Sequence, residues 1–207
     1  KSGSNDFHGS AYGSMRDPDY VGKTPGSFNG EKPIANFSED QYGLRVGGRI
    51  LRDKLFFFAS GEMNRRTEPT GWSADGSTPS QYIYPAQAAE FRDYLISEYD
   101  YDPGSLGDID RKTDSDLAFV RFDVNLGTSH QATLRYNYID AVRDQVGDRS
   151  RTAFRFATAI YGIANTTDSA VLQLNSVFGS NAFNVGRVGY QMIRDDRSVP
   201  VIFPTVD

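Results

Sequence analysis

Hydrophobic and polar residues alternate along much of this chain with the period of two that a β-strand imposes on its two faces. The clearest case is residues 117–126, LAFVRFDVNL, where Val120 and Phe122 lie on an apolar face and Arg121 and Asp123 on the opposite one. Seven strands of this kind are predicted, although the faces of the first, which is glycine-rich, are ambiguous. They cover residues 6–15, 41–50, 54–66, 117–126, 131–140, 169–178 and 182–195.

The links between the predicted strands alternate strictly between short and long. The short links are 51–54, 127–130 and 179–181, and the long links are roughly 16–37, 67–115 and 141–167. Unstructured loops beyond about 12–15 residues are uncommon in compact soluble domains. Transmembrane β-barrels, in contrast, have short turns at one end and long loops at the other. The pattern therefore favours an antiparallel barrel meander with long extracellular loops.

The composition is compatible with such a barrel, and it argues against a membrane-spanning helix, cysteine chemistry and nucleic-acid binding. The longest apolar run, residues 55–59, is far shorter than the roughly 20 residues of a membrane-spanning helix, whereas a spanning strand needs only about 9–11. The chain has no cysteine, which excludes disulfides and thiolate chemistry. A net charge of -5 without a basic run argues against nucleic acid as a partner.

In a membrane barrel the apolar faces meet lipid and the polar faces line the lumen. On the second strand the apolar face would carry Leu44, Val46 and Ile50. Arginine belongs on the polar faces, because an arginine in contact with lipid near mid-membrane costs about 2–4 kcal/mol. The candidates for the lumen are Arg45, Arg49, Glu62, Arg121, Asp123, Arg135, Asn137, Gln173 and Arg187.

Seven strands are too few to close a wide barrel, and unpaired strand edges are costly in lipid. We therefore expect the strands at residues 6–15 and 182–195 to be edges that further strands complete. The longest link should also contain a short helix at residues 86–99, since Ala88, Leu95 and Tyr99 recur with helical spacing. Packing of this helix against a loop or the barrel rim is favoured over a role as a binding lid.

Few residues suggest metal binding or catalysis. His8 and His130 are the only histidines. The acidic stretch 100–116 lacks the order of an EF-hand, because Gly104 falls where a ligand is needed and Arg111 stands in the place of the bidentate glutamate. A solvated loop is the favoured interpretation, and no nucleophile with a partnered base emerges, so we expect neither an enzyme nor a cofactor. The weak calcium candidates are Asp100, Asp102, Asp108 and Asp110.

Four stretches carry a resemblance to a known family. They are KSGSNDFHGSAY, QYGLRVGGRILRDKLFFFASGE, YDYDPGSLGDIDRKTDSDLAFVRFDVNLGTSHQATLRYNYID and LQLNSVFGSNAFNVGRVGYQMIRDDRS. Their order and spacing resemble the Oar-like branch of TonB-dependent receptors of the bacterial outer membrane. The resemblance implies a barrel of about 22 strands with a plug in its lumen, driven by an inner-membrane TonB-type energy-transducing complex. It also implies that residues 1–207 are the N-terminal part of the barrel, with the plug domain and the remaining strands outside this sequence.

If a plug fills the lumen, as the resemblance implies, then both the phenylalanines and the arginines of the polar face have a predicted partner. Phe56 and Phe58 point inward and are the candidates for contact with a plug. The lumen arginines would pair with plug carboxylates, with guidance of an anionic ligand as the alternative.

Three functions remain open. The favoured one is an outer-membrane TonB-dependent transporter or receptor for energised uptake or export of an unidentified substrate, with outer-membrane lipid, its own plug and the TonB-type complex as partners. The second is an outer-membrane structural or adhesion protein with binding loops. The third is a soluble β-sandwich that binds carbohydrate, since alternating faces alone do not separate a sandwich from a barrel.

Overall fold

The computed structural model describes residues 4–22, 36–77, 84–147, 149–150 and 153–199. One antiparallel sheet dominates these residues, and its seven strands follow one another in space in chain order. The strands are β1 (His8–Arg16), β2 (Ser38–Leu51), β3 (Leu55–Pro69), β4 (Asp110–Leu126), β5 (His130–Gln145), β6 (Tyr161–Phe178) and β7 (Ala182–Ser198). A helix, α1 (Pro85–Tyr99), and two single turns of 3₁₀ helix, Pro18–Tyr20 and Ala157–Ala159, lie in the links.

This meander confirms the predicted fold class. All three short turns lie at one end of the sheet, and the strand ends that the three long links join lie at the other. The predicted helix is present and begins one residue earlier, at Pro85, a residue whose fixed φ suits the first turn. No helix among the described residues is long and apolar enough to cross a membrane.

The two edges of the sheet are open, as predicted. β1 pairs only with β2, and β7 pairs only with β6, so the first and last strands do not close a small barrel with each other. Each edge therefore presents a row of backbone groups that a further strand could pair.

The register separates the side chains into an apolar face and a polar face. One row of the apolar face runs through Phe57, Phe122, Leu134, Leu172 and Val188, each opposite the next on the adjacent strand. Many of these side chains are exposed; Leu172 is 52% and Val188 73% accessible. A continuous exposed apolar surface of this extent is the expected outer wall of a membrane barrel.

Polar side chains limit the apolar face at the end where the long links lie. Nη2 of Arg65 on β3 donates there to both carboxylate oxygens of Asp116 on β4, at 2.7 and 2.9 Å. Tyr136 donates a hydrogen bond of 2.5 Å to Asp168 on the same side of the sheet. On β3 the apolar segment therefore runs from Leu55 to Met63, close to the roughly 9–11 residues of a spanning strand.

The strands continue beyond this limit, although the hydrophobic pattern does not predict the extension. β4 begins at Asp110 rather than at residue 117. The added segment has no hydrophobic alternation, and it is paired instead by polar contacts such as that between Arg111 and Glu68. A strand in water needs no apolar face to pair, so this extension leaves no hydropathy signal.

The short-turn end differs from the predicted arrangement at two residues. A register shift between Arg49 and Leu51 places Leu51, not Ile50, opposite Leu55 in the apolar row. An extra residue at a β-bulge has this effect on every later position of the strand. His130 is the first residue of β5 rather than part of the turn, and its ring lies 5.6 Å from that of Phe178.

Candidate functional site on the polar face

The polar face is the candidate functional surface, and all nine residues predicted for the lumen lie on it. The strand register places each of the nine on the face opposite the apolar row. They are Arg45, Arg49, Glu62, Arg121, Asp123, Arg135, Asn137, Gln173 and Arg187. Val120, Phe122 and Tyr136 lie on the opposite face, as the predicted strand faces require. The function of the nine residues stays a prediction.

A depression of about 570 Å³ lies on this face where β1 to β5 meet. Its polar part includes Tyr12, Arg45, Glu62 and Asn137, and its apolar part includes the ring of Phe119. Because side chains of five strands line one depression, the polar face is the concave side of the sheet. Apolar and hydrogen-bonding groups together suit contact with an amphipathic surface or solute.

Glu62 is the acceptor at the centre of the hydrogen bonds in this depression. The hydroxyl of Tyr12 and the side-chain amide of Gln41, at 2.9 Å, both donate to its carboxylate. Tyr12 can lie flat against β2 because the residue opposite it is Gly43, where a Cβ atom would overlap the tyrosine ring. Tyr12 was not among the predicted lumen residues, because only the pairing of β1 with β2 resolves which face of β1 is polar.

Arg121, Asp123 and Thr133 form a largely buried polar group on the sheet. Arg121 donates from Nε and Nη2 to the two carboxylate oxygens of Asp123, each at 2.8 Å. Thr133, directly opposite on β5, donates to the same carboxylate at 2.8 Å. Asp123 is only 2% exposed, so these donors replace the water that its charge would otherwise require.

The remaining arginines of the predicted set have weaker partners. Arg45 donates to the hydroxyl of Ser10 at 2.7 Å, and Arg187 donates to the amide oxygen of Gln173 at 2.9 Å. Arg135 lies directly opposite Arg121. Its Nε is buried and has no hydrogen-bond partner among the described residues.

The two phenylalanines predicted to contact a plug differ in their surroundings. Phe56 is only 7% exposed and lies between Arg49 and Asp123 on the neighbouring strands. Phe58 lies over Gly47, and its ring centroid is 6.1 Å from that of Phe119 at the depression. Phe56 is thus covered by the sheet itself, whereas Phe58 is the one of the two that lines the depression. Contact of either ring with a plug stays a prediction.

Charge is distributed unequally between the two faces of the strands. The polar face carries about twice as many arginines as carboxylates, and the outer face carries mostly carboxylates. On the polar face these are Arg16, Arg45, Arg49, Arg66, Arg111, Arg121, Arg135, Arg143, Arg187 and Arg197, with Glu39, Glu62, Glu68, Asp123 and Asp195. On the outer face they are Arg65, Lys112 and Arg194, with Asp40, Asp110, Asp114, Asp116, Asp140, Asp144, Asp168 and Asp196. The concave wall is therefore locally basic although the chain is acidic.

The links at the long-loop end pack together. Arg149, which is 9% exposed, donates to the carbonyl oxygens of Trp72, Gly107 and Arg155 and lies over the ring of Phe154 at 4.3 Å. We call the packed residues 70–77, 84–109 and 149–160 the loop cap, within the described ranges. Burial lowers the pKa of the Arg149 guanidinium.

A second contact joins the same two links. The hydroxyl of Tyr101 lies 2.6 Å from that of Thr158, and the backbone N–H of Thr158 donates to the carbonyl of Pro103 at 3.3 Å. The rings of Phe91 on α1 and Phe156 are 6.1 Å apart. α1 therefore packs against a neighbouring loop, as expected.

The four calcium candidates are not brought together. Asp102 accepts from the backbone N–H of Gly104 at 2.9 Å and from Arg92, whereas Asp108 accepts from Thr70 and the N–H of Gly71. Both donors lower the pKa of Asp102, and the Gly104 N–H has a larger effect than the Arg92 guanidinium. No group of three or more potential ligands that could hold a metal ion occurs in the described ranges.

A comparison with known protein families identifies the class of protein to which this sheet belongs. The family model for an outer membrane beta barrel domain matches residues 1–108, just over half of the chain. The protein is thus an outer-membrane β-barrel protein of the bacterial cell. It belongs to the outer membrane beta barrel domain family. No curated protein and no solved structure matches the chain.

Proposed function

We propose that this protein is a TonB-dependent outer-membrane transporter or receptor that imports or exports an unidentified substrate, energised by an inner-membrane complex. The observation that carries the proposal is the open seven-stranded sheet with a concave polar face. Unpaired edges in lipid cost several kcal/mol per backbone group, so additional strands must complete the wall. A barrel wide enough to need them is either a channel or plugged.

The character of the concave face supports a plugged barrel over a simple water-filled one. Phe58 and Phe119 place aromatic surface in the depression beside the charged groups. Such a surface fits a folded partner or an amphipathic solute better than bulk water. On this proposal residues 1–207 are the N-terminal part of the barrel, the plug and the other strands lie outside them, and the protein is not an enzyme.

A second candidate, an outer-membrane adhesion or structural protein, is favoured by the loop cap. Its links are packed through Arg149 and Thr158, and Tyr94 and Tyr99 of α1 are exposed with their rings 5.9 Å apart. A preorganised surface rich in tyrosine suits binding of a macromolecule. The soluble β-sandwich does not hold, because the described strands form a single sheet and the family is an outer-membrane one.

The test compares two strains in the native bacterium: one that lacks the full-length protein and one that lacks the energy-transducing protein. If the proposal holds, both strains fail to deplete, or fail to release, the same solute, as measured by mass spectrometry of the medium. Re-expression of the full-length protein in the first strain restores the loss. The adhesion alternative predicts instead that attachment is lost in the first strain and kept in the second, with no shared solute.

A further inference from the structure

A row of mostly polar side chains crosses the concave face at one level, from β1 to β6. The register places each member directly opposite the next on the adjacent strand. In that order the row is Ser10, Arg45, Ser60, Phe119, Asn137 and Ser169. Its first five members line the depression of about 570 Å³. Adjacent strands lie about 4.8 Å apart, so the row spans roughly 24 Å around the wall.

Much of the hydrogen-bonding capacity of this row is unused. The side chains of Ser60, Asn137 and Ser169 have no hydrogen-bond partner in the described part of the chain, and none of their polar atoms is shielded from solvent. Arg45 is exposed and donates from Nε to Ser10, which leaves both of its Nη groups without a partner among the described residues. A ligand in the lumen can therefore reach these groups directly.

Two aromatic rings and a carboxylate lie beside the row. Phe58 and Phe119 are half-buried, with ring centroids 6.1 Å apart and 58° between the ring planes. Glu62 and Arg45 line the same depression, yet within the described residues they form no ion pair with each other. Apolar ring surface therefore lies next to separate hydrogen-bond acceptors and donors.

This combination of groups suits a neutral ligand with many hydroxyl groups. A hydroxyl both donates and accepts, so it can bond to the Glu62 carboxylate and to the Arg45 guanidinium without bringing in another charge. The C–H face of a sugar ring can pack against an aromatic ring, which contributes apolar contact. A folded polypeptide pressed over the depression would take both charges out of water and would have to supply an opposite charge for each. The volume lies within the roughly 300–1,000 Å³ of small-molecule sites.

We propose that the depression is a binding site for a neutral saccharide. Its sugar rings pack against Phe58 and Phe119, and its hydroxyl groups bond to Arg45, Glu62 and Asn137. Because the row continues on adjacent strands, an oligosaccharide can follow it around the wall. The inference rests on the proposed function, since it names the class of substrate that the transporter would carry.

Three variants test the assignment of the site. Phe119→Leu removes an aromatic face and keeps an apolar side chain, and Asn137→Ala removes one hydrogen-bonding amide. Each should weaken saccharide binding by about 3–10-fold. Phe56→Leu is the matched control, because Phe56 lies on the same face but is only 7% exposed and outside the depression. This variant should bind as the wild type does.

The experiment uses the purified, fluorescently labelled full-length protein in lauryldimethylamine oxide, a detergent without a sugar headgroup. The protein is screened against an array of neutral bacterial, plant and algal glycans, and the glycan that binds best is then titrated by calorimetry. We expect the wild type to bind at least one glycan class, with the two losses in affinity given above. If Phe119→Leu does not assemble in the outer membrane, Ser60→Ala combined with Asn137→Ala replaces it.

The proposal is overturned if the wild type binds no glycan, as expected if a folded polypeptide covers the depression. It is also overturned if the site variants bind as tightly as the wild type, which would place the glycan elsewhere, or if Phe56→Leu shows the same loss. A negative result leaves the proposed function intact if the two strains described above still share a solute that is not a carbohydrate. Glycan binding without any shared solute would retain the site and contradict energised transport.

Discussion

At the scale of single residues, the polar face depends most on Asp123. Its carboxylate accepts from Arg121 and Thr133 while almost completely buried. Asp123→Ala leaves the Arg121 guanidinium without its counter-charge, and we expect the full-length protein to lose about 3–5 kcal/mol of unfolding free energy. Urea unfolding in detergent micelles measures this loss.

Thr133→Val is the matched control for Asp123→Ala. It keeps the shape of the side chain and removes one donor, and we expect a loss of only about 1 kcal/mol. Equal losses for the two variants would show that the ion pair contributes nothing beyond an ordinary hydrogen bond.

Gly43 provides a second residue-scale prediction. A methyl group at this position would overlap the ring of Tyr12, which donates to Glu62. Gly43→Ala should displace Tyr12, break that hydrogen bond and lower the unfolding free energy by about 1–3 kcal/mol. Gly61→Ala is the control, because the nearest atom to its Cβ is the Leu117 carbonyl oxygen at an ordinary 3.7 Å. The explanation fails if both variants unfold at the same urea concentration.

The sequence predicts residues on the long strands better than residues whose role depends on pairing. Arg121 and Asp123 stand in a clear alternation, so their common face could be predicted. The Nε of Arg135, which is unpaired among the described residues, and the contact of Tyr12 with Glu62 could not be predicted, because both arise from which residues stand opposite each other. Arg149 gave no signal, since its partners are backbone carbonyls of other links.

At the scale of elements, the loop cap can be tested at Gly104. This residue has a φ of +90°, and a Cβ atom on it would lie 3.0 Å from the Cβ of Ala157 in the β5–β6 link. Gly71 has a similar φ of +76° with nothing within 4 Å. Both alanine variants strain the backbone by about 1–2 kcal/mol, but only Gly104→Ala should separate the two links.

Limited proteolysis of intact cells measures this separation. Gly104→Ala should speed cleavage within residues 153–160, whereas Gly71→Ala should leave cleavage there at the wild-type rate. Equal cleavage of that link in both variants would mean that the links are not packed as described.

Asp102 predicts an acid dependence of the same element. Its pKa is lowered because the Gly104 N–H and Arg92 stabilise the charged form. A carboxyl group with a lowered folded pKa contributes stability above its unfolded value, near 3.9, and loses it as the pH falls through the folded value. The contact of Asp102 with Arg92, which joins α1 to the following loop, should therefore weaken below about pH 4.

Hydrogen exchange of residues 92–104 at pH 3 and pH 6 checks this expectation after correction for intrinsic exchange rates. The wild type should lose protection at the lower pH. Asp102→Asn, which cannot ionise, should show little change between the two conditions. A wild type that stays equally protected at both pH values would contradict it.

The boundaries of the strands could be predicted where contact with lipid requires hydrophobic residues at alternate positions, and not elsewhere. The apolar segment of β3 ends near Met63, and the prediction of that strand ended close to it. β4 extends into a polar region where charge pairs with β3 replace hydrophobic alternation. Nothing in the order of residues 110–116 distinguishes this extension from a solvated loop.

At the scale of the whole molecule, the orientation in the outer membrane can be tested with single cysteines, because the chain has none of its own. Glu90 lies exposed on α1 and Ser129 lies exposed in the turn between β4 and β5. We expect a membrane-impermeant maleimide to label Glu90→Cys on intact cells, and to label Ser129→Cys only after the outer membrane is opened. The reverse pattern would place the short turns outside.

Because the strands extend past the lipid, they set how far above the membrane surface the loop cap lies. From Asp116 to Asp110, β4 rises about 20 Å along its own axis, or roughly 15 Å once the strand is tilted. With the long links outward, the loop cap stands at the level of the sugars that cover the cell rather than at the headgroups. An antibody or a bacteriophage tail too large to enter the sugar layer would then be kept away from residues 84–99.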